Sequence, residues 1–165
     1  MNFTIRPAVA ADLPRILQIY SEARQFMKES GNPNQWGNDR PAQPTIINDI
    51  ALGQLYVCVH PEEILGVFAY IPGPDPTYAY LEGGQWLDDA PYGVIHRIAV
   101  SRHQAGVATA CIQWAFAQCG NLRIDTHAQN IPMQRALAKW GFTPCGTIYL
   151  ANGDPRLAYH KNKEK

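Results

Sequence analysis

The stretch from Tyr92 to Gly106 constrains the fold more than any other. Tyr92 to Val100 reads as a strand, and a short connection then opens a helix on small residues, Gly106-Val107-Ala108. The helix runs from about Gly106 to Cys119, with Ala108, Cys111, Ile112, Ala115 and Phe116 on one stripe. The first amides of a helix lack internal partners, and the helix dipole adds positive potential there. Gly106 and Ala108 let an anion such as phosphate approach that backbone closely. Neither G-x-x-x-x-G-K nor G-x-G-x-x-G occurs, so nucleotide hydrolysis and dinucleotide redox chemistry lose support. On its own the junction stays open between an anion site and a plain tight connection.

The rest of the chain alternates strands and helices. Asn2 to Arg6 is a short strand, and Asp12 precedes a helix that runs to about Lys28 with Pro14 in its first turn. Gly31 to Pro44, rich in Pro, Gly and Asn, is a loop carrying Gln35-Trp36, where the Trp is either a staple onto the core or a wall of a binding site. A short helix near Thr45–Leu52 follows. Gln54 to His60 and Ile64 to Ile71 pair around Pro61-Glu62-Glu63. Pro72 to Pro76 must be a loop. Leu122 to Thr126 is a strand, Asn130 to Trp140 a helix stopped by Gly141, and Phe142 to Leu150 pairs with Arg156 to His160 around Asn152-Gly153. The order predicts one α/β domain over residues 1–165 with a mixed, mainly antiparallel sheet.

Composition narrows the partners. Lys plus Arg and Asp plus Glu both number 14, giving zero formal net charge, so no basic excess calls for nucleic acid. The longest apolar stretch, Ile64 to Ile71, is far short of a membrane span, and the N-terminus reads as a strand rather than a signal peptide. Cys58, Cys111, Cys119 and Cys145 sit in apolar contexts without C-x-x-C spacing. They are expected to be buried, reduced thiols of a cytoplasmic protein.

The second half sharpens the reading. Leu122-Arg123-Ile124-Asp125-Thr126-His127 leads to Asn130, and Trp140-Gly141-Phe142 closes the helix that Asn130 starts. With this spacing the chain resembles the GCN5-related N-acetyltransferases along nearly its whole length. It looks closest to a bacterial subgroup with Gln-Trp after the first helix, His-Arg-Ile-Ala-Val on the fourth strand and Asp-Thr-His on the fifth. The resemblance implies a sheet of about seven strands flanked by about four helices. It also implies acetyl-CoA as cosubstrate and an N-acetyltransferase that acts by direct attack on the thioester. The family's R/Q-x-x-G-x-G/A signature falls on His103-Gln104-Ala105-Gly106-Val107-Ala108, where His103 departs from it. Gly106, Val107, Ala108 and Thr109 would then meet the pyrophosphate together with His103 and Gln104. Ile98, Ala99 and Val100 would hold the pantetheine arm and the thioester carbonyl, and Asn130 would hydrogen-bond the cosubstrate or simply cap its helix.

Acid and base are less regular. Many family members use a Tyr to protonate the thiolate at the position of Leu137, leaving Tyr149 or no residue for that task. His96 is the candidate base, since serotonin-acetylating members place a catalytic histidine at this point of the strand and a free imidazole titrates near ~6.5. His127 with Asp125 is next. Gln35, Trp36, Trp86 and Tyr92 occupy the segments bordering the acceptor, which points to a small amine or amino-acid-like molecule. Monomer and homodimer both remain open. So does a non-catalytic acyl-CoA-binding module, which Leu137 favours, and more weakly a cysteine hydrolase built on Cys58 or Cys111.

Overall fold

The computed structural model of the chain describes residues 2–101 and 105–163. Strand β1 (Thr4–Pro7) leads into helix α1 (Leu13–Glu29), followed by α2 (Gln43–Ala51), β2 (Leu55–Val59), β3 (Ile64–Pro72) and β4 (Gly93–Val100). Then come α3 (Val107–Cys119), β5 (Asn121–Thr126), α4 (Ile131–Lys139), β6 (Thr143–Tyr149) and β7 (Pro155–Asn162). Two short 3-10 turns, Ala10–Asp12 and Pro76–Tyr78, complete the described elements. Asp12 does not cap α1 as the sequence predicts. Its carboxylate accepts from the Val9 amide at 2.8 Å and pairs with Arg6 at 2.8 Å, fixing the 3-10 turn ahead of the helix.

The sheet has seven strands in the order β1-β2-β3-β4-β5-β7-β6. Every neighbouring pair is antiparallel except β4 and β5, whose parallel ladder holds only Gly93–Leu122 and Val94–Arg123. This is the mixed, mainly antiparallel α/β architecture that the element order predicts.

Side chains alternate between the two faces of a strand. Cys58, Phe68 and Ile95 therefore meet Cys111, Ile112 and Ala115 of α3 and Leu137 of α4 on one face. Leu55, Val57, Val67 and Ala69 meet Ile16, Ile19 and Tyr20 of α1 and Ile46 of α2 on the other. Burying one such large apolar side chain contributes about 1.5–3 kcal/mol. Gly66 lets α3 approach β3, because a Cβ there would stand 2.7 Å from Val107 Cγ1.

Three cysteines are buried as expected, but Cys119 is exposed. It is the last residue of α3, and its thiol donates to the Asn121 carbonyl at 3.2 Å. Among the described residues no helix is long and apolar enough to cross a membrane.

Candidate active site

Because β4 and β5 pair only over two residues, they part beyond Val94 and Arg123. A cavity of about 320 Å³ opens in the cleft, lined by Ile95, His96, Arg97 and Ile98 of β4 and Ile124, Asp125 and Thr126 of β5. The Gln35-Trp36 loop, Asn130 and Arg156 add walls.

The β4 wall is bent by a bulge. Val67 pairs with Ala99 and Ala69 with His96, so Arg97 and Ile98 together stand opposite Phe68. Arg97 adopts φ 54°, a left-handed conformation uncommon outside glycine that requires support from its surroundings. Two residues provide it. The Tyr20 hydroxyl donates to the Arg97 carbonyl at 2.7 Å, and the Arg97 guanidinium donates to both oxygens of Asp49 at 2.8 and 3.0 Å. Burial pushes the Tyr20 hydroxyl far up, so it stays a proton donor. The sequence holds Tyr20, Asp49 and Arg97 in separate elements, and nothing in their spacing reveals that they share one task.

His96 lines the cavity with one ring nitrogen already engaged. Its Nε2 lies 2.9 Å from Asp75 Oδ2, while Asp75 Oδ1 accepts from the amide and hydroxyl of Thr77 at 2.9 and 2.7 Å. Burial alone would raise the Asp75 pKa, but the bonds from His96 and Thr77 overrule it and hold it at about 2. An ionised carboxylate only accepts, so the proton of the neutral ring is fixed on Nε2 and Nδ1 carries the lone pair. Asp75 comes from a proline-flanked loop, and it was invisible in sequence because Asp before Pro reads as turn chemistry.

Asn130 and Gln35, far apart in sequence, meet in the wall. Asn130 Oδ1 accepts from the Met133 amide at 3.1 Å, capping α4, and its Nδ2 donates to Gln35 Oε1 at 3.0 Å. Gln35 Oε1 also accepts from Asn32 at 2.9 Å. Trp36 packs edge-on against Tyr20 at 5.6 Å and lines the cavity, so it is both staple and wall.

At the far end of β4, α3 starts on Gly106 at φ 83° with no side-chain cap. Ala110 donates to the Gly106 carbonyl, which leaves the amides of Val107, Ala108 and Thr109 ahead of the helical ladder. The Thr109 hydroxyl is taken by Trp140 Nε1 at 3.0 Å, which ties α4 to the start of α3. Ile98 lines the cavity, Ala99 is buried against Val67, and Val100 pairs with Gly66. His103 and Gln104 lie outside the described residues.

Other residues singled out in sequence lie elsewhere. Trp86 and Tyr92 do not line the cavity. They sandwich the Arg123 guanidinium at 4.1 and 4.0 Å, with Tyr78 packed against both rings. Being aromatic in an acceptor-bordering segment did not distinguish a wall from this internal cation–π clamp. His127 is also outside the cavity lining and turns to its own loop, its Nδ1 accepting from the Gln129 amide at 3.0 Å. Burial and the Arg156 charge lower its pKa. Asp125 does line the cavity, accepting from the Tyr78 hydroxyl at 2.7 Å, and burial pushes its pKa up. Leu137 is fully buried in the core, and the Tyr149 hydroxyl bonds Glu82 outside the cavity. Cys58 and Cys111 are fully buried and offer no exposed nucleophile.

Similarity to solved structures extends over the whole chain. The crystal structure of an acetyltransferase of the GNAT family from Streptococcus agalactiae 2603 shares 32% identity at a TM-score of 0.89, covering 99% of this chain and 96% of that one. A GNAT-family acetyltransferase from Listeria monocytogenes 4b F2365 shares 24% identity at 0.68, covering 97% and 94%. A ribosomal-protein-alanine N-acetyltransferase from Brucella melitensis shares 19% identity at 0.62, covering 96% and 99%. The latter two share the fold. No family model and no curated protein matches the sequence.

Proposed function

Since the chain belongs to the GNAT family of acetyltransferases, we propose that it moves an acetyl group from acetyl-CoA to the amine of a small molecule held between β4 and β5. Acyl transfer itself follows from the family; the donor, the acceptor and the residues are this proposal. The observation that carries it is the Asp75–His96 pair in the wall of the β4–β5 cavity.

An amine attacks only when neutral, yet most amines are protonated near pH 7. His96 takes that proton on Nδ1 while Asp75, holding Nε2, stabilises the imidazolium that forms. Acetyl-CoA, when bound, would supply the acetyl group as a thioester: the C–N bond to the acceptor forms as the C–S bond breaks, and CoA leaves as its thiolate. The residues present fit this donor. The amides of Val107, Ala108 and Thr109, which have no side-chain cap among the described residues, suit a pyrophosphate, with no acidic side chain in that first turn. Ile98, Ala99 and Val100 lie on the stretch of β4 that β5 does not pair, leaving backbone groups for an extended pantetheine arm. Asn130 orients Gln35 and caps α4, with one amide hydrogen left for the ligand.

The test is acetylation of a panel of small amines by the purified protein, followed by CoA release and by mass of the product. Amine-dependent release is expected. His96→Ala should lower kcat by about 10²–10⁴-fold while acetyl-CoA affinity is retained. Tight acetyl-CoA binding without any acetylated amine would return the non-catalytic module, and a His96→Ala variant with wild-type kcat would move the base elsewhere.

A further inference from the structure

The cavity holds a buried cation that the reaction does not use. Arg156, on β7, is only 7% exposed and lines the cavity. Among the described residues it forms no ion pair. Its contacts are carbonyls, NH1 donating to Pro155 at 2.9 Å and NH2 reaching that of Gln35 at 3.5 Å. A guanidinium so far removed from water ordinarily has a carboxylate partner, because desolvating an unpaired charge is costly. By contrast Arg97, in the same wall, is fully matched by Asp49. The hydroxyl of Thr126, which also lines the cavity, is buried with no partner among the described residues.

Asp125 also lines the cavity but accepts from the Tyr78 hydroxyl, and among the described residues it makes no ion pair with Arg156. The cavity lining thus brings together Asp125 and the base His96, which suit an ammonium group, and a planar cation with no carboxylate partner among the described residues. A guanidinium fork matches a carboxylate in two parallel hydrogen bonds.

We infer that the acceptor is a small amino carboxylate, bound with its carboxylate on Arg156 and its amine toward Asp125 and His96. This rests on the amine acetylation proposed above and names its substrate class. Arg156 is then a specificity residue: an acceptor without the carboxylate leaves the guanidinium buried and unmatched, as the protein alone does.

The test pairs each common L-amino acid with its primary amide as acceptor, on the wild type and on Arg156→Gln and Arg156→Lys. Binding of the preferred amino acid is measured separately by calorimetry with CoA present. The wild type should favour the acid by about 30-fold or more in kcat/KM, the scale of losing one partner of a buried charge pair. Arg156→Gln should bring that ratio toward one and abolish calorimetric binding. Arg156→Lys, which keeps the charge without the fork, should fall between and serves where the Gln variant does not fold. Amides as good as acids on the wild type would overturn the assignment. So would an Arg156 variant that weakens acetyl-CoA while the acid-to-amide ratio stays fixed, because the anion would then be a phosphate of the cosubstrate. Amino-acid binding that needs Arg156, without acetylated product, would support the carboxylate site and overturn the reaction instead.

Discussion

Asp49 and Arg97 lock α2 to the β4 bulge through two hydrogen bonds, 2.8 and 3.0 Å long, with Asp49 almost wholly buried and Arg97 partly in water. The asymmetry of burial makes the two partners unequal under mutation. Arg97→Ala leaves a buried carboxylate without its cation, bonded only to Gln54 Nε2 at 2.8 Å, and a residue still at φ 54°, whereas Asp49→Ala leaves a guanidinium that water can reach. Arg97→Ala should therefore cost about 3–5 kcal/mol, and Asp49→Ala clearly less, in urea unfolding at neutral pH. Equal losses would mean the pair does not carry the bulge.

Asp75 holds His96 Nε2 at 2.9 Å and does not itself line the cavity. Asp75→Asn offers Nε2 either a donor or an acceptor, so the ring is no longer held to one tautomer. We expect kcat to fall about 10-fold or more, short of the about 10²–10⁴ of His96→Ala, with acetyl-CoA affinity retained. Asp75→Glu, which keeps the carboxylate, should recover part of the loss. A purely structural Asp75 would instead lower the melting temperature and leave the kcat of the folded fraction alone.

Gly66→Ala places a methyl 2.7 Å from a branch carbon of buried Val107. Val107 opens α3, so the helix start must shift outward. The expected result is a loss of stability of about 1–3 kcal/mol, the usual range for overpacking. It should come with a weaker acetyl-CoA affinity in calorimetry and a smaller effect on kcat at saturation. Unchanged affinity in the folded variant would separate the helix start from cosubstrate binding.

His160 gives the fold a pH dependence of its own. It is fully buried, its Nδ1 accepts from the Leu87 amide at 3.0 Å, and its Nε2 donates to Asn121. Burial first, and then the Arg123 charge, lower its pKa to about 4. The unfolded chain takes up this proton near pH ~6.5, so the contribution is complete above that pH and is lost as pH falls toward about 4. At about 1.4 kcal/mol per pKa unit the loss is on the order of 3 kcal/mol. Urea unfolding at pH 7 and pH 4.5 should show it, and His160→Gln should shrink the difference between the two.

Legibility in the sequence followed periodicity. The strands, the four helices and the open start of α3 could all be read from alternation, apolar stripes and glycines, because each is a local pattern. The number of strands came from resemblance, while their order in the sheet and the parting of β4 from β5 had no signal, since a run such as Val94–Val100 reads alike whether paired on one side or two. His96, Gln35, Trp36 and Asn130 were found as candidates and do share one cavity. Asp75, Asp49, Tyr20 and Arg156 were missed because their partners lie on other elements, and contact across elements leaves no spacing to detect. Trp86 and Tyr92 were misplaced for the same reason, as Arg123 between them lies on β5.

The short seam at Gly93–Leu122 and Val94–Arg123 has a further consequence for solubility. Beyond it, β4 presents unpaired backbone toward β5 within a single sheet. Exposed edges of this kind ordinarily recruit strands from other molecules and seed aggregates. Here that backbone lines a cavity to which Met133 of α4 and the Gln35-Trp36 loop add walls, rather than standing at the outer edge of the sheet. The unpaired backbone of β4 thus faces an internal cavity, while the outer edges of the sheet are β1 and β6.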